Sequence, residues 1–192
     1  MNTISVMIVG VGGQGTLLAS KVLGQALVSM DYDVKVSEVH GMSQRGGSVV
    51  TYVRYGDEVH SPIVDLGQAD YMLAFEPLEA ARYLPYLKKD GVIITNTRET
   101  MPMPVITGAA AYPGNIVEKL KARANVVALD AMQLALEAGN AKAVNMVLMG
   151  VLASRMDLPE DVWQAALTKQ VPAKFLELNR RAFALGQAQK GV

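Results

Sequence analysis

The chain has 192 residues, 51% hydrophobic and 19% charged, and its 18 basic and 18 acidic side chains leave no formal net charge. That length suits one large domain or a domain with a helical extension, and the balanced charge gives no long-range pull toward nucleic acid or an anionic membrane surface. There is no cysteine, which excludes disulfides, thiolate nucleophiles, zinc ribbons and cysteine-ligated iron–sulfur clusters held by this chain.

The apolar run at residues 4–9 predicts a buried first strand, and a glycine turn, Gly10-Val11-Gly12-Gly13-Gln14-Gly15, follows it. Residues 15–30 repeat Leu17, Leu18, Val22, Leu23, Ala26 and Leu27 at helical spacing. Residues 34–38 alternate and predict a second strand. A β-α-β unit of this kind calls for parallel pairing and a right-handed crossover. Residues 40–47 are too glycine-rich for regular structure, and residues 48–55 are β-branched and aromatic, a strand. Gly56-Asp57 reads as a turn into a short returning strand at 58–61, an inserted hairpin.

Residues 71–75 are the next buried strand, and Glu76-Pro77 opens a helix running through Leu84. Residues 91–96 predict another strand, residues 101–114 hold three of the eight prolines and are irregular, residues 116–124 are a helix, and residues 126–129 are a last strand. Four helices follow, at 131–138, 142–155, 159–169 and 174–186. The expected architecture is a three-layer α/β sandwich with a mostly parallel, Rossmann-like sheet, an inserted β-hairpin and a helical C-terminal tail. It forms a single domain over 1–192, with an α/β core at 1–130 and a helical part at 131–192. No basic segment precedes the first apolar run, and the longest apolar-rich stretch, 143–153, is shorter than the ~20 residues of a membrane span. The expectation is a soluble, cytoplasmic chain.

Gly10, Gly12 and Gly15 fit the G-x-G-x-x-G spacing, in which glycines make the turn, admit a ligand to the backbone and let helix pack on strand. The helix that follows would present free N–H groups and its positive end to an anion. Glu38 stands near the place where a dinucleotide site keeps its ribose-binding acid. An NAD(P)-binding reductase is therefore one reading, and a tight turn with no ligand is the plain alternative. The second glycine loop does not suit a simple dinucleotide domain. Both loops should leave the carboxyl ends of strands and share one edge. There Arg45 could grip a phosphate or carboxylate in two-pronged fashion, with His40 and Ser43 adding hydrogen bonds. Alternatively Arg45 pairs with Glu38 in a purely structural loop.

Other chemistry is thin. Gly41-Met42-Ser43-Gln44-Arg45 departs from the nucleophile elbow at its last position, and His40 and His60, the two histidines, have no ligand spacing. Glu76, Glu79, Asp130 and Glu137 read as caps and surface charges. Asn145 reads as a helix-start or buried polar residue, or one that meets a ligand. Trp163, Phe175 and Phe183 read as core or interface.

The glycine turn and the run Glu38-Val39-His40-Gly41-Met42-Ser43-Gln44-Arg45-Gly46-Gly47 resemble the γ-type module of the 2-oxoacid:ferredoxin oxidoreductases. So do residues 73–80 (LAFEPLEA), 139–150 (GNAKAVNMVLMG) and 171–179 (VPAKFLELN). Within that family the chain is most similar to the small β subunits that serve indolepyruvate, and the likeness runs nearly end to end. The resemblance implies a non-catalytic subunit. A larger α subunit would carry thiamine diphosphate with Mg and the [4Fe-4S] clusters. The assembly would oxidatively decarboxylate indolepyruvate or other aryl 2-oxoacids to acyl-CoA, with ferredoxin as acceptor. The positions it marks as cofactor-binding or partner-facing are Gly10, Gly12, Gly13, Gln14, Gly15, Thr16, Glu38, His40, Gly41, Ser43, Gln44, Arg45, Gly46, Gly47 and Asn145, with CoA possible at the interface. No catalytic or metal-ligating residue is implied. A relative recruited purely as an interaction module is a third reading. Without its partner, the chain is expected to self-associate through apolar C-terminal helices.

Overall fold

The computed structural model describes residues 3–41 and 46–189. Apolar strands between polar turns assemble into one six-stranded sheet built from β1 (Ile4–Val11), β2 (Asp33–His40), β3 (Ser48–Gly56), β4 (Ala69–Ala74), β5 (Leu87–Asn96) and β6 (Asn125–Leu129). Their spatial order is β2-β3-β1-β4-β5-β6. β1, β4, β5 and β6 pair in parallel, while β3 lies antiparallel between β1 and β2. β2 therefore runs the same way as β1 but does not touch it.

This corrects two expectations. The first β-α-β unit does not pair in parallel, because β3 occupies the place beside β1. The hairpin is β2–β3, closed by the second glycine loop, and residues 58–61 form no strand. β3 has both edges filled, so no ladder is left for a returning strand. The chain after β3 is held by side chains instead: the Val59 N–H donates to Asp33 (2.8 Å), and Arg54 donates to the carbonyls of Ser61 and Ile63 (3.0 Å each).

Side chains alternate across the central strands and feed two cores. Val6 and Ile8 of β1, with Leu73 and Ile94, pack under α1 (Thr16–Val28), α5 (Ala131–Ala138), α6 (Val144–Ala153), α7 (Glu160–Gln170) and α8 (Leu176–Gln187). Met7 and Val9, with Met72 and Ile93, pack under α2 (Pro77–Tyr83) and α4 (Ile116–Lys121). The sandwich, the mostly parallel sheet and the helical tail stand as expected. The tail, however, is the cover of one sheet face rather than an appendage. Residues 101–114 are irregular apart from one turn of helix, α3 (Met103–Ile106).

α6 is apolar all round, and every one of its residues from Asn145 to Ala153 is buried. It meets α8 backbone to backbone: a Cβ built on Gly150 would lie 2.0 Å from the Phe183 carbonyl oxygen, and one on Gly186 would lie 2.0 Å from that of Val147. Trp163 and Phe183 pack beside this crossing with ring centroids 5.6 Å apart, both essentially buried, whereas Phe175 is 45% exposed. The C-terminal helices therefore spend most of their apolar surface inside the chain, with Leu136 of α5 left exposed. Among the described residues no helix is long and apolar enough to cross a membrane.

Candidate functional site

β1 ends at Val11 because the glycines that follow turn the chain. Gly13 and Gly15 hold φ values of 99° and 87°, a region L side chains rarely adopt. Gln14 folds back, and its side-chain oxygen accepts from the Val11 N–H at 2.9 Å, closing the turn from within. Gly15 caps α1 and brings no side-chain acceptor, so the first helical amides face outward beside the positive end of the dipole. Thr16, the first helical residue, is buried.

The second glycine loop meets this turn directly. The Gly12 N–H donates to the Gly47 carbonyl (2.9 Å), and the Gly46 N–H donates to that of Gly12 (3.3 Å). Both loops therefore share one edge, as predicted, because β1 and β2 run the same way. Gly41 and His40 stand exposed at the end of β2, with His40 Nδ1 3.2 Å from the Gly41 carbonyl. Ser43, Gln44 and Arg45 lie outside the described residues, and with them both readings of Arg45.

Two clefts flank the turn. The smaller, about 490 Å³, is lined by Gly12, Gly13, Gly15, Thr16, Leu17, Glu38, His40 and Val49. Glu38 accepts there from the Thr51 hydroxyl at 3.2 Å, its cross-strand neighbour. Because β3 separates β2 from β1, Glu38 stands two strand spacings from the glycine strand, roughly 9–10 Å, where a dinucleotide fold has one. The larger cleft, about 880 Å³, opens on the other side of the turn toward Phe75, Asn96, Arg98, Thr100, Met132 and Lys142. Its wall thus carries two cations opposite the amide-rich turn, a donor set that fits a phosphate- or diphosphate-bearing group.

Asn145 sits behind the turn rather than in the cleft. It is 4% exposed, its amide donates to the Gly15 carbonyl at 3.3 Å, and its oxygen accepts from the Met146 N–H. The buried polar reading holds, and the residue ties the C-terminal helices to the first glycine turn.

Glu76 and Glu79 lie at the same edge, just past β4. Glu76 caps α2 as expected, accepting from the Glu79 N–H at 3.0 Å. Neither is a surface charge: Glu76 is 1% and Glu79 3% exposed. Glu79 accepts from the Ser48 hydroxyl and from Arg82 Nε (3.1 Å). Glu76 also accepts from the Thr100 N–H (3.3 Å) and the Tyr112 hydroxyl. Burial first, then the hydrogen bond to Glu76, pushes the Tyr112 phenol well above the usual tyrosine range. Asp130 caps α5 through the Gln133 N–H at 2.9 Å, and Glu137 is exposed. Among the described residues no three acidic or histidine side chains gather to hold a metal ion.

The family model described as pyruvate ferredoxin/flavodoxin oxidoreductase matches residues 5–189. The chain belongs to this family. It is 45% identical over 193 aligned positions to the indolepyruvate oxidoreductase subunit IorB of Thermococcus kodakarensis, covering 97% of this chain and 95% of that one. The keto/oxoacid ferredoxin oxidoreductase γ subunit of Geobacter sulfurreducens shares the fold at TM-score 0.72, with 24% identity and 97% of each chain covered. A 2-oxoglutarate:ferredoxin oxidoreductase of Magnetococcus marinus, solved with 2-oxoglutarate, coenzyme A and succinyl-CoA bound, aligns at TM-score 0.66 and 17% identity over 98% of this chain and 31% of its own. The fold thus occurs both as a separate chain and as about a third of a longer one.

Arg98, Thr100 and Lys142 are the cleft residues that the sequence reading passed over. The signal for Arg98 and Thr100 was present: they follow a parallel strand, and loops at the carboxyl ends of such strands converge. Nothing local marked Lys142, which reaches the cleft because Asn140 accepts from the Lys142 N–H (2.9 Å) and turns the chain into α6.

Proposed function

We propose that the chain is the small, non-catalytic subunit of an indolepyruvate:ferredoxin oxidoreductase. The observation that carries this is the near end-to-end 45% identity to an indolepyruvate oxidoreductase subunit. The absent cysteines support it, since the iron–sulfur chemistry must then reside elsewhere. A larger subunit carries thiamine diphosphate with Mg and the clusters, decarboxylates the aryl 2-oxoacid and passes electrons to ferredoxin. This chain's part is to present the glycine-loop edge to that subunit. The larger cleft faces the diphosphate of CoA, with the α1 amides on one side and Arg98 and Lys142 on the other. Gly46 and Gly47 keep the end of the second loop against the turn.

The test is anaerobic affinity purification of the chain from its own cells, with assay of the eluate for indolepyruvate- and CoA-dependent reduction of a viologen dye. The activity should travel with a larger, brown partner, and a colourless, partnerless eluate without it would overturn the reading. In the assembled complex, Arg98→Ala should raise the KM for CoA about tenfold, the loss of a charge-assisted hydrogen bond. An unchanged value would remove CoA from this cleft.

A further inference from the structure

The bonds of Glu76 extend beyond its role as a helix cap. Its carboxylate is 1% exposed, and among the described residues no cation pairs with it. A buried charge in that position is costly unless its lone pairs are filled. Here three neutral donors from three parts of the chain fill them: the Glu79 N–H in α2, the Thr100 N–H, and the Tyr112 hydroxyl. Capping accounts for the first alone. The other two stand at either end of the irregular segment that carries Met101, Met103 and Ile106 on its exposed surface. The root of that segment is fixed by the Thr97 N–H on the Leu129 carbonyl at 2.9 Å. Arg98 and Thr100, which line the larger cleft, lie between that root and Tyr112.

An apolar residue here would leave both main-chain amides and the phenol without an acceptor. A glutamine would also fail as a substitute, because it offers one acceptor oxygen and turns an NH₂ group toward donors. We infer that Glu76 is a positioning residue for the larger cleft: by clamping Thr100 and Tyr112 from below, it sets where Arg98 and Thr100 stand toward the bound anion. The Ser48–Glu79–Arg82 bonds next to it hold the other glycine loop against the same helix. Two carboxylates, one capping α2 and one in its first turn, thus locate both sides of the edge. The inference rests on the reading of the cleft as the CoA site.

The test uses the complex assembled with the larger subunit, comparing Glu76→Gln, Tyr112→Phe and Arg98→Ala with the unaltered chain. Three quantities are read: the KM for CoA against kcat, the KM for the 2-oxoacid, and amide hydrogen exchange across residues 98–112. Glu76→Gln should raise the CoA KM about tenfold and Tyr112→Phe about threefold, in line with one or two lost hydrogen bonds. Exchange across 98–112 should quicken in both, while kcat and the 2-oxoacid KM stay within about twofold. Should Glu76→Gln fail to assemble, Tyr112→Phe decides by the same readouts, since it keeps the carboxylate. A raised CoA KM for Arg98→Ala but not for either clamp variant would overturn the positioning role and leave the cleft reading intact. No change in any of the three would overturn both. Loss of kcat in step with loss of assembled complex, at unchanged KM, would mark Glu76 as structural only and overturn the inference.

Discussion

A methyl group at Gly150 or Gly186 would press into a main-chain carbonyl 2.0 Å away, with no flexible side chain to yield. Alanine is the better helix former by roughly 1 kcal/mol, but overpacking a closed core costs about 1–3 kcal/mol or more. The clash wins, so Gly150→Ala and Gly186→Ala should each lower the denaturant midpoint of the isolated chain, whereas a change in the opposite direction would mean the two helices can part freely. Tyr112 makes a second prediction. Its folded-state pKa is raised by burial and by the bond to Glu76, so its contribution to stability is complete below about pH 10 and is lost as pH climbs toward the higher folded value. Alkaline unfolding should therefore be shallower in Tyr112→Phe than in the unaltered chain. At this scale the glycine turn was readable because positive φ leaves a mark in composition. The backbone partners of the inward-turned Gln14 and Asn145 were not, since whether a polar side chain meets a ligand or a backbone group depends on a neighbour that for Asn145 is 130 positions away.

Elements were found nearly everywhere they were expected, because apolar periodicity reports which faces are buried. Pairing was harder to foresee. The pattern of β2 as a half-exposed strand is the same beside β1 or beside β3, so local sequence does not choose its neighbour. Once placed at the edge, β2 leaves Val36 and Val39 about half exposed (48% and 51%) on a strand with one free ladder. Such edges invite pairing with another chain. Val39→Lys should therefore reduce any concentration-dependent association of the isolated chain in analytical ultracentrifugation, and unchanged association would point to another surface. The helical tail gives a sharper expectation. Met146, Leu148 and Phe183 share one core with Ile8, Leu23 and Leu73, so a chain ending at residue 130 should show no cooperative thermal transition.

For the molecule as a whole, zero net charge means that no overall electrostatic attraction draws it to a partner. Its association rate with the larger subunit should change less than about threefold between low and high salt, and a steep fall would reveal local charge patches that steer docking. Family and fold class were legible from ordered motifs spread along the chain. The cleft walls were not, because they are assembled from segments distant in sequence. The placement of β3 also governs how the protein can be made. While the ribosome is still extending the chain, β1, α1 and β2 exist without the strand that joins them, and β2 has nothing in the sheet to hold until residue 56 has appeared. At about 5–20 residues per second, the 16 residues beyond β2 take roughly one to three seconds to add. For that interval the nascent glycine turn lacks its bonds to the second loop, which form once Gly46 and Gly47 arrive on the leading end of the strand that completes the sheet.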